Sequence, residues 1–263
     1  MFVEKYNFQG LNISVFTETD LNKFIEDTIT SLSPSVGYGY SIGIIPKLKK
    51  VKGLLDCTNN FDLLVTDGRL FYLFAKLFGS PVKYDISIPN LVFKSLQFAN
   101  NKNLSVFFWG GTGEANSAAL NNVSAKYKSI KSVDGHNGYF TDDEKSAIIE
   151  KLLKNNYDFI FLTLTTPEKE LLADELKKLG TGKFIIPCGG MIDVLAGNKK
   201  VSPRIIKKLG LAWLYRFIQE PGIRYQLILE SFKAIIISTS YILRDILFKK
   251  NNNAFLFYIN GKK

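Results

Sequence analysis

LSVFFWGGTGEANSAALNNVSAK, residues 104–126, holds the pattern that decides the fold. Leu104–Trp109 is apolar at five of its six positions and shows no alternation, which suits a strand covered on both faces of a parallel sheet. Gly110-Gly111-Thr112-Gly113 then breaks the run, and Glu114–Lys126 has the composition of a helix. The same order recurs on both sides of this unit. Upstream, Asn12–Phe16 reads as a strand, and Thr17-x-x-Asp20 caps a helix running to Ser31. Gly37-Tyr38-Gly39-Tyr40 leads into a second apolar strand ending near Ile45, and a basic amphipathic segment follows to Leu55. Asp62–Thr66 is a strand that stops at Asp67-Gly68, where RLFYLFAKLFG continues as a helix, and Pro89 opens another to about Asn100.

Downstream the series continues. A strand is expected near Ile130–Val133, and a Thr141-x-x-Glu144 capping box opens a helix to Asn155. A strand at Phe159–Leu164, a helix from about Pro167 to Leu179 and a strand at Lys183–Pro187 complete it. Strands alternating with helices predict an α/β class: a Rossmann-like, mostly parallel sheet with flanking helices. The expected division is an α/β catalytic core over residues 1–201 and a basic appendage over 202–263.

Charge draws that border. The chain carries 34 Lys/Arg against 24 Asp/Glu, a net +10. From Lys199 to Lys263 there are 13 basic residues and three acids, so the whole excess sits in the last quarter and the remainder is balanced. Such a block calls for an anionic partner. Cys57 and Cys188 are the only cysteines and form no CxxC, which excludes a disulfide framework or a cysteine-based zinc site and suits a reducing compartment. The N-terminus lacks the basic-then-apolar order of a signal peptide. Between Tyr225 and Phe248 the charged residues fall in one arc and Ile, Leu and Phe in the other, but the charge-free run is too short to span a bilayer. A membrane-surface helix fits this pattern; a helix docked on the core or on another subunit fits it as well.

Four loops at expected strand ends carry chemistry. Asp67 can serve as a general base, or it can cap a helix. Gly110-Gly111-Thr112-Gly113 can cradle a phosphate, or form a plain tight turn; Asn116 in the last position excludes GxGxxG. Thr165-Thr166-Pro167-x-x-Glu170 can bind a sugar hydroxyl or cap its helix. His136, the lone histidine, has no Ser or Cys partner for a triad. Arg204, Lys207, Lys208, Arg216 and Arg224 can clamp a diphosphate, or form a solvated basic face. The aromatics of the tail are not interleaved as stacking platforms, which argues against nucleic acid.

The order of these motifs resembles the WecG/TagA/CpsF family of bacterial glycosyltransferases. The resemblance is carried by Thr66-Asp67-Gly68, Gly110-Gly111, His136-Asn137-Gly138-Tyr139-Phe140, Pro167-x-x-Glu170, Gly189-Gly190-x-x-Asp193-x-x-Ala196-Gly197 and Leu209-Gly-Leu-Ala-Trp213-Leu-Tyr-Arg216 followed by Gln219-Glu220-Pro221. It implies inverting, metal-free and cofactor-free transfer of a sugar, of the N-acetylmannosamine type or another hexose, from a UDP-sugar to a polyprenyl-diphosphate-linked N-acetylglucosamine in surface-polysaccharide assembly. It implies Asp67 as base. Donor-site positions carried over are Ser41, Gly68, Lys83, Gly110, Gly111, Gly138, Tyr139, Thr165, Lys169, Glu170, Gly189, Gly190 and Asp193. Arg216 and Arg224, with Lys83 in support, would face the diphosphate. It implies a cytoplasmic protein held peripherally on the inner face of the membrane, with homo-oligomerisation left open. The alternative is a non-catalytic nucleotide- or lipid-binding subunit of an assembly complex.

This chain departs from the family pattern at Ser41-Ile42-Gly43, where Thr-x-Asn is usual, and at Lys83–Ile88, where an Arg-x-x-Gly-x-Asp stretch is usual. It also departs at Lys169, where Gln is usual, and at Val201 and Ala212. Lysine cannot copy the bidentate reach of arginine or the acceptor oxygen of glutamine, so these positions bear on donor and acceptor identity.

Overall fold

A computed structural model describes residues 3–203 except 9 and 42, residues 205–206 and 209–222, and further positions at 225–226, 228–229, 232–233, 236, 239–240 and 257–258. The chain begins with β1 (Lys5–Phe8) and β2 (Leu11–Ser14), then α1 (Glu18–Thr30), β3 (Ser35–Tyr40), α2 (Ile45–Lys50), α3 (Leu54–Asn59), β4 (Leu63–Thr66), α4 (Arg69–Leu77) and α5 (Ile88–Lys102). The second half runs β5 (Ser105–Gly110), α6 (Gly113–Lys126), β6 (Ser132–His136), α7 (Asp142–Asn155), β7 (Phe159–Thr163), α8 (Glu168–Lys178), β8 (Phe184–Pro187), α9 (Met191–Leu195) and α10 (Ala212–Gln219), with β9 at Phe257–Tyr258.

Six strands form one sheet in the order β4-β3-β8-β7-β5-β6, and every neighbouring pair is parallel. Side chains alternate between two cores, as the two-residue period of a strand requires. Val106 and Phe108 of β5, Phe159 and Phe161 of β7, and Phe184 and Ile186 of β8 pack under α1, α5, α6 and α9. Phe107, Trp109, Ile160, Leu162 and Ile185 face α7, α8 and the N-terminal strands. Both faces are thus covered, which explains why β5 and β7 are continuous apolar runs. In β3 the face toward α5 is kept to glycine because a Cβ at Gly37 would stand 2.7 Å from the Phe184 ring, and one at Gly39 would stand 2.4 Å from Ile88.

Three elements differ from expectation. Leu11–Ser14 lies outside the main sheet: it pairs antiparallel with β1, a strand the sequence reading did not contain. The hairpin turns at Gly10 with φ 86°, a conformation open to glycine. It shields the edge of the main sheet, because Ser14 Oγ accepts the Leu64 N–H at 2.9 Å. β3 ends at Tyr40 and not near Ile45, since the chain turns into α2. β6 starts two residues beyond the expected Ile130, at Ser132. The expected membrane-surface helix at Tyr225–Phe248 lies mostly outside the described residues. No helix among the described residues is long and apolar enough to cross a membrane.

Candidate active site

All six strands run the same way, so the loops after β3, β4, β8, β7, β5 and β6 gather at one edge of the sheet. Ligands of open parallel sheets bind there. A cleft of about 130 Å³ opens at this edge beside the end of β4. One wall is Asp67, Ile88, Pro89, Cys188, Gly190 and Met191, from the strand ends and the first turns of α5 and α9. The other is Lys199, Lys200, Val201, Arg216, Gln219 and Glu220, from the segment beyond α9 and from α10. The cavity is smaller than the roughly 300–1,000 Å³ of small-molecule pockets. A nucleotide-sized ligand would therefore have to reach past it along the neighbouring loops.

Asp67 sits at the centre of the core wall. It does not cap α4, the helix that follows it, which has no side-chain cap. Its Oδ1 accepts the Ile88 N–H at 2.9 Å, the first amide of α5. That helix lacks a cap from its own Ser87, so Asp67 satisfies one of its orphan donors from a distant strand end. Gly68 permits this path with φ 104°. The carboxylate is half-buried, fixed through one oxygen, and still faces the cleft.

The opposite wall is tied down by Lys199. Its Nζ reaches Asp193 Oδ2 at 2.8 Å and Glu220 Oε1 at 2.9 Å. Burial lowers the pKa of this ammonium, but the two carboxylates outweigh burial and the net shift is upward. Gln219 Oε1 accepts the Lys200 N–H at 3.4 Å, a second link between the same pieces. With Glu220 and Gln219 held, α10 turns Arg216 into the cleft that contains Asp67. Just before α10, a Cβ at Gly210 would stand 3.7 Å from Arg69 Cγ, and Arg69 Nη1 pairs with Asp85 at 3.1 Å.

Beside the cleft, Glu170 is fully buried at the start of α8. Its Oε1 accepts hydrogen bonds from Tyr38 Oη at 2.8 Å and Thr166 Oγ1 at 2.9 Å and pairs closely with the Lys169 ammonium. Burial lowers the pKa of Lys169, against the attraction of Glu170. The same contact with Glu170, after burial, pushes the Tyr38 hydroxyl upward. Cys188, on the cleft wall, is close enough to Lys169 for their charges to interact, yet burial pushes its thiol far up. A thiol held protonated in this way is a poor nucleophile.

The glycine loops divide by role. Gly110 has φ 136°, and a Cβ there would stand 2.5 Å from the Thr163 backbone, so it exists to let β5 and β7 approach. Gly111 has φ 73° and lies against Ile192, and its carbonyl accepts the Gly138 N–H at 2.7 Å. Asn116 is buried and donates to the carbonyls of Phe108, Gly110 and His136, which stitches the ends of β5 and β6 together. A Cβ at Gly190 would have only Asp193 Oδ2, 4.0 Å away, near it. Gly189 has φ 53° and only the Leu164 carbonyl, 3.9 Å away, near its absent Cβ.

The remaining expected donor residues scatter along the edge. Ser41 accepts the Ile44 N–H through its carbonyl at the end of β3. Thr165 is exposed and bonds Glu168 at 3.1 Å. Tyr139 stands 75% exposed beside the Gly111 loop. Lys83 is exposed, near the capping carboxylate of Asp20, and does not line the cleft. Asp193 faces Lys199. Arg204, Lys207, Lys208 and Arg224 lie outside the described residues. Lys199, Gln219 and Asn116 are residues that sequence reasoning did not assign to the site. Lys199 carried a weak signal, an isolated basic pair directly after Gly197-Asn198. Among the described residues no group of three or more His, Cys, Asp or Glu is placed to hold a metal ion.

A hollow of about 660 Å³ lies elsewhere, between α3 and α8, near the amino ends of the strands. Two of its lysines are already paired, Lys177 with Asp62 and Lys178 with Asp174.

Residues 6–246 match the family model described as "Glycosyl transferase WecG/TagA/CpsF family". Three similar proteins share the name N-acetylglucosaminyldiphosphoundecaprenol N-acetyl-beta-D-mannosaminyltransferase. The one from Bacillus spizizenii is 26% identical over 161 residues, 61% of this chain and 62% of the relative. That from Bacillus subtilis is 23% identical over 210 residues, 80% of each chain. That from Staphylococcus aureus is 28% identical over 162 residues, 62% of this chain and 63% of the relative. The match thus spans under two thirds of two of these relatives and four fifths of the third.

Proposed function

Because the chain belongs to the WecG/TagA/CpsF family of glycosyl transferases, we propose that it transfers a hexose, of the N-acetylmannosamine type or a close variant, from a UDP-sugar to a polyprenyl-diphosphate-linked N-acetylglucosamine. The observation that carries this reading is the meeting of Asp67 and Arg216 in one cleft. Glycosyl transfer needs a base for the acceptor hydroxyl and positive charge for the leaving diphosphate, and these two residues supply that pair. The three relatives are named as N-acetylmannosaminyltransferases acting on N-acetylglucosaminyldiphosphoundecaprenol, which supports this acceptor class and sugar.

In the proposed step the acceptor oxygen attacks the anomeric carbon from the face opposite the leaving group. Asp67 takes the hydroxyl proton as the new C–O bond forms. The bond from the anomeric carbon to the diphosphate oxygen breaks, and UDP departs with the electron pair. One direct displacement inverts the anomeric centre. Arg216 on α10, with the other cations of the appendage, offsets the developing charge. Gly190 leaves room for the donor, and the loops of Gly111, Gly138 and Tyr139 extend the site beyond the cleft. The acceptor's lipid places the enzyme at the membrane surface, and the basic appendage over 202–263 supplies the attraction to anionic headgroups.

The test is turnover by the purified chain of UDP-sugars on a lipid-diphosphate N-acetylglucosamine acceptor, with product stereochemistry read by NMR. Transfer with inversion, lost in Asp67→Asn, is the expected result. Donor binding without turnover in the wild type would overturn catalysis and favour a binding subunit.

A further inference from the structure

The catalytic core has an apolar surface that the cleft does not use. α4 turns Phe71 and Ala75 inward and is packed by Phe74 and Phe78 against the N-terminal hairpin, where Phe8 meets Phe74 edge-on at 5.9 Å. Leu70, Leu73 and Leu77 point the other way, and Leu77 is 78% exposed. These positions, three and four apart, make one stripe along the helix. α10 repeats the arrangement: Leu211, Leu214 and Ile218 are exposed on one side, while Arg216 and Gln219 face the cleft on the other. The chain just before α10 passes Arg69, in the first turn of α4 and two residues past Asp67, where a Cβ at Gly210 would stand 3.7 Å from Arg69 Cγ. The α4 stripe therefore starts at Leu70, three residues past the cleft residue Asp67.

We propose that the outward face of α4 is a second membrane-contacting surface, by which the catalytic core itself, and not the appendage alone, rests on an anionic bilayer beside the cleft. The inference rests on the acceptor reading only for the reason such a surface would be useful; the docking itself requires neither donor nor acceptor. Contiguous exposed leucines need a partner that removes them from water. The choice between a bilayer and a second copy of the chain is made by charge. The entire +10 excess lies from Lys199 onward, in the segment that contains α10. The chain carries a net +10, so a symmetric pair would bring two like-charged copies together, at a repulsive cost. A bilayer rich in anionic lipid takes the leucines at its headgroup–acyl boundary and attracts the same cations. α4 contributes in the same sense, with Lys76 exposed, no acid of its own, and Arg69 paired to Asp85.

The experiment is co-sedimentation of the full chain with phosphatidylglycerol-containing vesicles, using the combined variant Leu70→Gln, Leu73→Gln, Leu77→Gln. Glutamine keeps good helix propensity at exposed sites, and circular dichroism with a thermal melt checks that the fold is retained. Partitioning is expected to fall about tenfold or more, in line with lost apolar burial. Leu32→Gln is the control: this leucine is 97% exposed, but it precedes β3, at the opposite end of the sheet, and should change nothing. Unchanged partitioning of the combined variant overturns the proposal, as does a wild-type chain that ignores anionic vesicles. A wild-type dimer that the variant splits in sedimentation velocity, with vesicle binding unaffected, assigns the stripe to a second copy instead. A chain that partitions as expected but shows no sugar transfer sinks the catalytic reading alone.

Discussion

The carboxylate of Asp67 holds the amide of Ile88 at 2.9 Å, so the residue at the end of β4 also fixes the start of α5. One oxygen does structural duty and the cleft-facing group keeps a defined orientation, a requirement for a base that must meet a hydroxyl at hydrogen-bond distance. Asp67→Asn retains an acceptor oxygen for Ile88 but no basic carboxylate. Transfer is expected to drop by about 10²–10⁴-fold with the melting temperature nearly unchanged. Asp67→Ala removes the cap as well and should cost a further ~0.5–2 kcal/mol of stability. Parallel kinetics and denaturation of the two variants separate the roles; equal activity of Asp67→Asn and wild type would remove the base assignment.

Lys199 controls how α10 meets the core, through Asp193 and Glu220. Each pair is partly exposed, so its direct worth is small, about 0–1 kcal/mol; the consequence lies in where Arg216 is held. Lys199→Met is expected to weaken donor binding more than it lowers the melting temperature. The pH dependence has a definite sign. The Lys199 pKa is raised above its ordinary 10.5 in the folded chain. A base raised in this way contributes stability that is complete below its unfolded pKa and lost as pH rises through the folded one. Docking of α10 should therefore persist across neutral pH and loosen only above about 10.5. Fluorescence of Trp213, which lies on α10, reports it, and Lys199→Met should show the loosened signal already at neutral pH.

The buried cluster around Glu170 predicts a stability effect of another size. Glu170→Gln leaves the Lys169 ammonium without its counter-charge in a site where burial already opposes its proton. Removing one member of a buried pair costs about 3–5 kcal/mol. Adding Lys169→Met to Glu170→Gln should recover part of that loss, and urea denaturation of the two singles and the double measures the coupling. Additive losses would mean that the pair does not act as a unit.

The parallel sheet was legible because β5 and β7 are unbroken apolar runs that end at glycine or threonine and are followed by helical patterns. The N-terminal hairpin was not legible as such: Lys5–Phe8 is only four residues long, and its pairing with Leu11–Ser14 depends on a turn at Gly10 with no Asn-Gly or Asp-Gly to announce it. Asp67 could be singled out from its place at a strand end. Its true helical partner could not, because α5 starts far along the chain and joins it only in three dimensions. Lys199 and Gln219 were missed for the same reason: a charge run looks solvated in a sequence, and the acids that neutralise Lys199 are Asp193 and Glu220, on either side of it along the chain. Glu170 read as a helix cap or sugar ligand, since sequence cannot register full burial against Tyr38.

Two glycines that looked alike in the sequence should behave in opposite ways. Gly110 adopts φ 136°, and a methyl there would meet the Thr163 backbone at 2.5 Å. That contact lies between paired strands at the centre of the fold and cannot relax cheaply. Gly110→Ala is therefore expected to cost about 3 kcal/mol or more, a fall in melting temperature of roughly 6–12 °C for a chain of this size. Gly190 has an ordinary φ of −66° and no atom nearer to its missing Cβ than Asp193 Oδ2 at 4.0 Å. Gly190→Ala should fold with stability within about 0.5 kcal/mol of wild type. Because Gly190 lines the cleft, its new methyl takes space from the ligand, and the donor KM should rise about tenfold or more, the scale of one misplaced methyl group in a pocket. Melting curves and donor titrations on both variants test the division. A Gly190→Ala protein with unaltered donor KM would move the donor away from this wall.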